Sequence, residues 1–173
     1  MTRRKNDFYP TPEWVTRKLL DAVCVGGSVI EPCSGQGHMI RVLKEHPLVR
    51  KMTTNDVDPS MSADLHLDAR NPELYKRKQF TWLVTNPPFS QAFEILRTAH
   101  QFVPNIAMLC RLSFLEPTLK RGEWFSEHPL SQLIVLPRCS FTGDKKTDSV
   151  TCAWMVWEKY NPDQLISVVP RKN

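Results

Sequence analysis

Short apolar, β-rich runs alternate with segments of helical period along most of this chain, and that alternation is the tightest constraint on its fold. Ser28-Val29-Ile30-Glu31 predicts a first strand, ended by Pro32. Gly35 to Glu45 predicts a helix with Met39, Ile40, Val42 and Leu43 on its apolar side. Lys51 to Asp56 predicts a second strand, and Leu65-His66-Leu67 a short third strand or strand end. Phe80 to Thr85 predicts a strand stopped by Pro87-Pro88, since proline has no N–H for a sheet ladder. Ser90 is placed to cap a helix from Gln91 to Phe102. Ile106 to Leu112 predicts a buried strand and Thr118 to Glu127 a helix. Gln132 to Leu136 and Cys152 to Glu158 predict two late strands, whose polar connection can form a hairpin. Ahead of all these, Thr11 or Pro12 opens a helix running to Val23. Such alternation implies an α/β chain with a doubly wound, mostly parallel sheet. The late strand pair, with no helix between, implies an antiparallel strand inserted at one edge.

A length of 173 residues predicts one domain spanning 1–173, with no internal repeat, no linker and no separate recognition domain. A chain of that size buries enough surface to need no disulfide or metal staple. No run approaches the roughly 18 apolar residues of a membrane span, so no membrane partner is expected. The five cysteines, Cys24, Cys33, Cys110, Cys139 and Cys152, are odd in number and lack CxxC spacing. They point to a reducing, cytoplasmic setting without a disulfide framework or zinc cluster. The histidines show no HExxH spacing, and no metal is expected. The net charge of +5 is spread over small clusters such as Lys76-Arg77-Lys78 and Lys145-Lys146. That pattern suits a nucleic-acid partner and equally a solvated surface.

The segment Glu31-Pro32-Cys33-Ser34-Gly35-Gln36-Gly37-His38 follows a strand and opens a helix. Its two glycines let backbone approach a ligand and turn sharply. The third glycine of the dinucleotide fingerprint is absent, because Ile40 holds that position. A ligand with a nucleoside but no pyrophosphate therefore fits better, and S-adenosylmethionine is one. Glu31, at the strand end, is placed to hold its ammonium. Asp56 follows Gly37 at roughly the 20-residue offset at which an acid meets ribose hydroxyls, with Val57 beside it. The alternatives are a plain glycine turn and a strand-end turn at Asp56-Val57-Asp58-Pro59.

Asn86-Pro87-Pro88-Phe89 stands at the carboxyl end of a strand, where ligands bind in open α/β sheets. Two prolines fix two φ angles and remove two N–H donors, leaving a rigid turn whose carbonyls and Asn86 side chain can accept hydrogen bonds. This suits chemistry on an amino group attached to a planar ring. Asn86 and the Pro87 carbonyl each accept one amine hydrogen, and Phe89 stacks on the ring. A proline-rich turn with Phe89 in the core is the alternative.

On these residues the sequence resembles the S-adenosylmethionine-dependent amino-methyltransferases bearing (D/N/S)-P-P-(Y/F/W). Within them it is most similar to small phage- or prophage-encoded DNA adenine methyltransferases. The resemblance runs from about Asp7 to Lys159, carried first by Asn86 to Phe89 and then by Glu31 to Gly37. It implies a single Rossmann-like methyltransferase domain with motifs in an order similar to the gamma arrangement. It implies that Tyr9-Pro10-Thr11-Pro12 contacts the methionine end of the cofactor through Thr11, which is otherwise a helix cap. It implies that Asp68-Ala69 contacts the cofactor adenine through Asp68, with Asp64 as fallback. Phe89 departs from the Tyr commoner in adenine-specific DNA enzymes. Similar motifs occur in enzymes acting on RNA guanine 2-amino or adenine 6-amino groups and on protein glutamine.

Two segments after strand ends are candidates for reading the target. One runs from Arg111 through Phe114 to Lys120-Arg121, and the other from Arg138 through Ser140 and Phe141 to Lys145-Lys146. Each joins an aromatic to basic or hydroxyl groups, the mixture that stacks a flipped base and holds phosphates. Phe141 is the candidate second wall of a base pocket, or else a core residue. Trp154 and Trp157 are expected in the core. The expected activity is methyl transfer to the 6-amino group of adenine in DNA, with an RNA base or the cytosine 4-amino group as other acceptors. The non-enzyme alternative is a cofactor-binding interaction module. A homodimer is a further possible partner arrangement.

Overall fold

The computed structural model describes residues 10–76, 79–138, 150–161 and 164–168, the side chains of 167 and 168 excepted. In chain order the elements are α1 (Glu13–Ala22), β1 (Gly27–Glu31), α2 (His38–Glu45), β2 (Val49–Thr54), α3 (Glu73–Lys76) and β3 (Trp82–Thr85). There follow α4 (Ala92–Ala99), β4 (Asn105–Arg111), a 3-10 turn (Leu112–Leu115), α5 (Leu119–Glu127), β5 (Gln132–Val135), β6 (Cys152–Glu158) and β7 (Leu165–Val168). The strands form one seven-stranded sheet in the order β2-β1-β3-β4-β6-β5-β7. Strands β2, β1, β3 and β4 are parallel neighbours. The expected antiparallel strand is β6, which pairs with β4 on one side and β5 on the other. It lies two places in from the edge rather than at it, because β5 pairs on its far side and β7 adds to β5 in parallel.

Alternate side chains of the central strands go to opposite faces, as a period of two requires. Val29, Trp82, Val84, Ala107, Leu109, Trp154 and Val156 pack on one face with Val15, Leu19, Met39 and Leu43 of α1 and α2. Ile30, Leu83, Ile106, Met108, Met155 and Trp157 pack on the other with Leu74, Ile95 and Leu96 of α3 and α4. Both late tryptophans are core residues and also pins. Trp154 Nε1 donates to the Val15 carbonyl at 2.8 Å, fixing α1, and Trp157 Nε1 donates to the His128 carbonyl at 3.1 Å, fixing the end of α5.

Three local expectations are corrected. The third strand shrinks to one parallel bridge between Asn55 and Leu65. Side chains supply the bonds a ladder would have made: Asp64 Oδ2 accepts from the Thr54 N–H and hydroxyl, and Asn55 Oδ1 accepts from the Leu67 N–H. Helix α2 begins at His38, not Gly35, because Gly35 and Gly37 have φ of +49° and +76° and cannot continue a right-handed helix. Helix α4 begins after Gln91, whose N–H bonds the Pro88 carbonyl at 2.9 Å, so Ser90 is not its cap.

The chain passes from β1 outward to β2, then returns across β1 to β3. The crevice between the carboxyl ends of β1 and β3 is thus the point where strand order reverses, the place where open α/β sheets bind ligands. Glu31 and Thr85 end those two strands.

Candidate active site at the strand-order reversal

Glu31 is wholly buried at the end of β1. Its Oε1 accepts the Cys33 N–H at 3.0 Å, while Oε2 has no hydrogen-bond partner among the described residues. The Thr85 hydroxyl, also buried, completes no hydrogen bond to the described residues either. Burial pushes the Glu31 carboxyl up to about 8, the nearby Thr85 hydroxyl and Cys33 N–H opposing and Asp56 adding to the rise. A buried acceptor left unmatched is costly and calls for a donor. An ammonium, with three donors and a positive charge, is the complement.

The glycine turn wraps this carboxyl. Asp56, just beyond β2, holds the turn: its Oδ2 accepts the Gly35 N–H at 2.7 Å and its Oδ1 accepts the Asp58 N–H at 2.9 Å. The strand-end turn weighed for Asp56 is therefore real, and the same carboxylate also reaches the glycine loop. Val57, beside it and beyond the carboxyl end of β2, is 64% exposed. Pro32 contributes its carbonyl, which accepts Asn55 Nδ2 at 2.9 Å. The N–H groups of Cys33, Ser34, Gly35 and Gly37 are engaged within the turn, so what fits S-adenosylmethionine here is the buried, unmatched Glu31 oxygen, complementary to its ammonium.

Asn55 was not singled out from the sequence, where it reads as one more strand residue. It is wholly buried and ties three segments together. Its Nδ2 donates to the Pro32 and Leu67 carbonyls, its Oδ1 accepts the Leu67 N–H, and its backbone bonds Glu31 and Ser34. A polar side chain at the carboxyl end of a predicted strand was the available signal.

Asp68 is drawn to Arg70 rather than left open. The Arg70 guanidinium forks onto both its oxygens, the shortest contact 2.6 Å, and holds its carboxyl below the usual range. Ala69 is buried, and its carbonyl accepts the Tyr75 hydroxyl at 2.6 Å. Asp64, the fallback, is committed to Thr54.

On β3's side, Asn86 Nδ2 donates to Thr11 Oγ1 at 3.0 Å. Thr11 is buried and is not the cap of α1; that position is Pro12, with no side-chain cap bond. The bond engages the amide's nitrogen end, which orients Oδ1 as the acceptor. Pro87 is buried and Pro88's carbonyl is taken by Gln91, so not every carbonyl of the turn is open as expected. Pro10 is half-buried beside Thr11. Phe89 is half-buried, and the Arg111 guanidinium carbon lies 4.4 Å from its ring centroid. The sheet thus joins Arg111, the last residue of β4, to the aromatic of the Asn-Pro-Pro-Phe turn.

Phe114 is placed differently from the expectation of an open stacking face. It is 8% exposed and packs edge-on against Phe125 at 5.8 Å, with Arg121 donating to its carbonyl. Tyr9, Ser140, Phe141, Lys145 and Lys146 lie outside the described residues.

No family model and no curated protein matches the sequence. Solved structures do. The M protein of the type I restriction enzyme EcoKI matches at 13% identity and a TM-score of 0.68, over 94% of this chain and 49% of that one. The type I methyltransferase subunit from Streptococcus thermophilus matches at 12% and 0.66, over 89% and 45%. The 23S rRNA methyltransferase ErmE matches at 16% and 0.58, over 87% and 69%. The chain spans about half the length of the two type I subunits. At such identities the likeness is one of architecture, and the chain has the Rossmann-like fold shared by these methyltransferases.

Proposed function

We propose that this chain binds S-adenosylmethionine and transfers its methyl group to the 6-amino group of adenine in DNA. The observation that carries the reading is the Asn86 amide, fixed by Thr11 at the mouth of the crevice that holds the unmatched Glu31 carboxylate. The fold, shared with DNA and RNA methyltransferases, supports methyl transfer in general. Adenine and DNA rest on the Asn86-Pro87-Pro88-Phe89 resemblance.

In this reading Glu31 holds the cofactor ammonium, Asp56 and Val57 flank its ribose, and Asp68-Ala69 face its adenine, which requires Asp68 to share or give up its fork with Arg70. The Gly35–Gly37 turn lets backbone approach the ligand. When bound, the cofactor supplies an electrophilic methyl group on a sulfonium. Asn86 Oδ1 and the Pro87 carbonyl each accept one hydrogen of the acceptor amine. That turns the nitrogen lone pair out of ring conjugation and toward the methyl. Methyl transfer to the nitrogen so oriented would leave it with a surplus proton, which would pass to water. No strong base is needed, since the alkylated nitrogen is acidic. Holding both reactants in line supplies up to about 7–11 kcal/mol of the barrier. Phe89 stacks on the flipped base.

Incubating the protein with cofactor labelled in its methyl group and with DNA, RNA or protein tests the reading. Label on adenine in DNA is expected. Label only in RNA or protein would move the acceptor, and no transfer to any would favour a binding module.

A further inference from the structure

Two arginines lie against aromatic rings near the crevice, and they are held differently. Arg121 sits 5.9 Å from the Phe114 ring, but its Nη1 also donates to the Phe114 carbonyl and its Nε to the Thr118 hydroxyl. It is anchored. The Arg111 guanidinium lies closer to its ring, at 4.4 Å from Phe89, and has no hydrogen bond or ion pair to the described residues. Among the described residues, the ring is the contact that places it. A guanidinium is planar and delocalised, and it stacks on an aromatic face much as a nucleobase does. It is also the side chain best matched to a phosphate. A group that imitates a base on one partner and binds phosphate on another can exchange between them.

We propose that Arg111 is a specificity-determining residue: in the free protein its guanidinium covers the face of Phe89 that the acceptor base uses, and on nucleic-acid binding it gives up that face for a backbone phosphate. This rests on the reading of Phe89 as the base platform. The consequence is selection for a polymer. A free nucleoside must displace Arg111 and offers it nothing in return. A strand that delivers a base also delivers the phosphate that receives the guanidinium. Position permits the exchange: Thr85 pairs with Met108 across β3 and β4, so Arg111 projects beyond the strand end that carries Asn86.

The test measures binding of two probes to the full chain saturated with S-adenosylhomocysteine, which fills the cofactor crevice. The probes are adenosine and a short adenine-containing DNA. Arg111→Ala is expected to tighten adenosine binding about threefold and to weaken DNA binding about tenfold, with the salt slope of DNA binding reduced by about one. Arg111→Lys keeps the charge but not the plane, so it should restore the salt slope and leave adenosine binding tightened. Phe89→Leu should weaken both probes. If Arg111→Ala moves the two probes in the same direction, or moves neither, the exchange is refuted even where Phe89→Leu behaves as expected. If Phe89→Leu changes neither probe, the platform reading falls and the proposal falls with it.

Discussion

The Asn86 side chain and the Thr11 hydroxyl, 75 residues apart in the chain, meet at 3.0 Å. The bond ties the turn after β3 to the segment leading into α1, and it engages the nitrogen end of the Asn86 amide. Thr11→Val removes it at nearly constant volume. Turnover should fall about 10-fold, the order of one orienting hydrogen bond, while Thr11→Ser retains it. Asn86→Ala should abolish turnover with little loss of cofactor affinity. Steady-state kinetics beside a direct cofactor-binding assay would check both; full activity in Asn86→Ala would remove this residue from the mechanism.

Glu31 makes the free protein's stability depend on pH. Its carboxyl is raised from 4.5 to about 8, so between those values the folded state keeps a proton that the unfolded chain has released. Stability from this group is full below pH 4.5, falls as pH rises toward 8, and is flat beyond. Glu31→Gln should abolish that decline and be more stable than the parent at pH 8 by a few kcal/mol, with no difference at pH 4. Chemical denaturation at the two pH values gives the answer, and equal slopes in parent and variant would contradict it.

The same group should link cofactor binding to pH. An ammonium at Glu31 requires the ionised carboxylate, so the dissociation constant should fall as pH rises from 6 to 8, with proton release on binding. Titration calorimetry in buffers of different ionisation enthalpy measures that release. Glu31→Gln should bind more weakly and release none.

Asp56 holds Gly35 through one oxygen and Asp58 through the other. Asp56→Ala should therefore weaken cofactor binding about 10-fold or more, by loosening the turn and by removing the proposed ribose contact. An unchanged dissociation constant would count against both roles.

Asn55→Ala leaves the Pro32 and Leu67 carbonyls and the Leu67 N–H without their partner in a buried place. A loss of roughly 2–4 kcal/mol in unfolding free energy is expected, since each unsatisfied buried group costs about 1–3 kcal/mol and some gain water. Thermal or denaturant unfolding measures it.

Much of the fold is legible in short stretches of sequence. The runs at Val29-Ile30, Trp82-Leu83-Val84 and Ala107-Met108-Leu109 are apolar at every position, which only a strand covered on both faces tolerates. Pro87-Pro88 stops β3 where expected, and Cys152–Glu158 is a strand with the expected bounds. The third strand misleads because Asp64 and Asn55 make its bonds with side chains, and no propensity records that. Strand β7 carries exposed Leu165 and Ile166, and its short run gave no sign of joining the sheet.

By itself the sequence determined which turns are rigid, which glycines free the backbone and which residues are candidates for chemistry, because each depends on covalent geometry within a few residues. Only the tertiary structure decided which of them meet. Strand order sets Glu31 beside Thr85, Thr11 beside Asn86, and Arg111 over Phe89, and it spends Asp68 on Arg70 and Phe114 on the core. Those meetings follow from how the whole sheet buries both its faces, an energy summed over the chain that no local pattern contains.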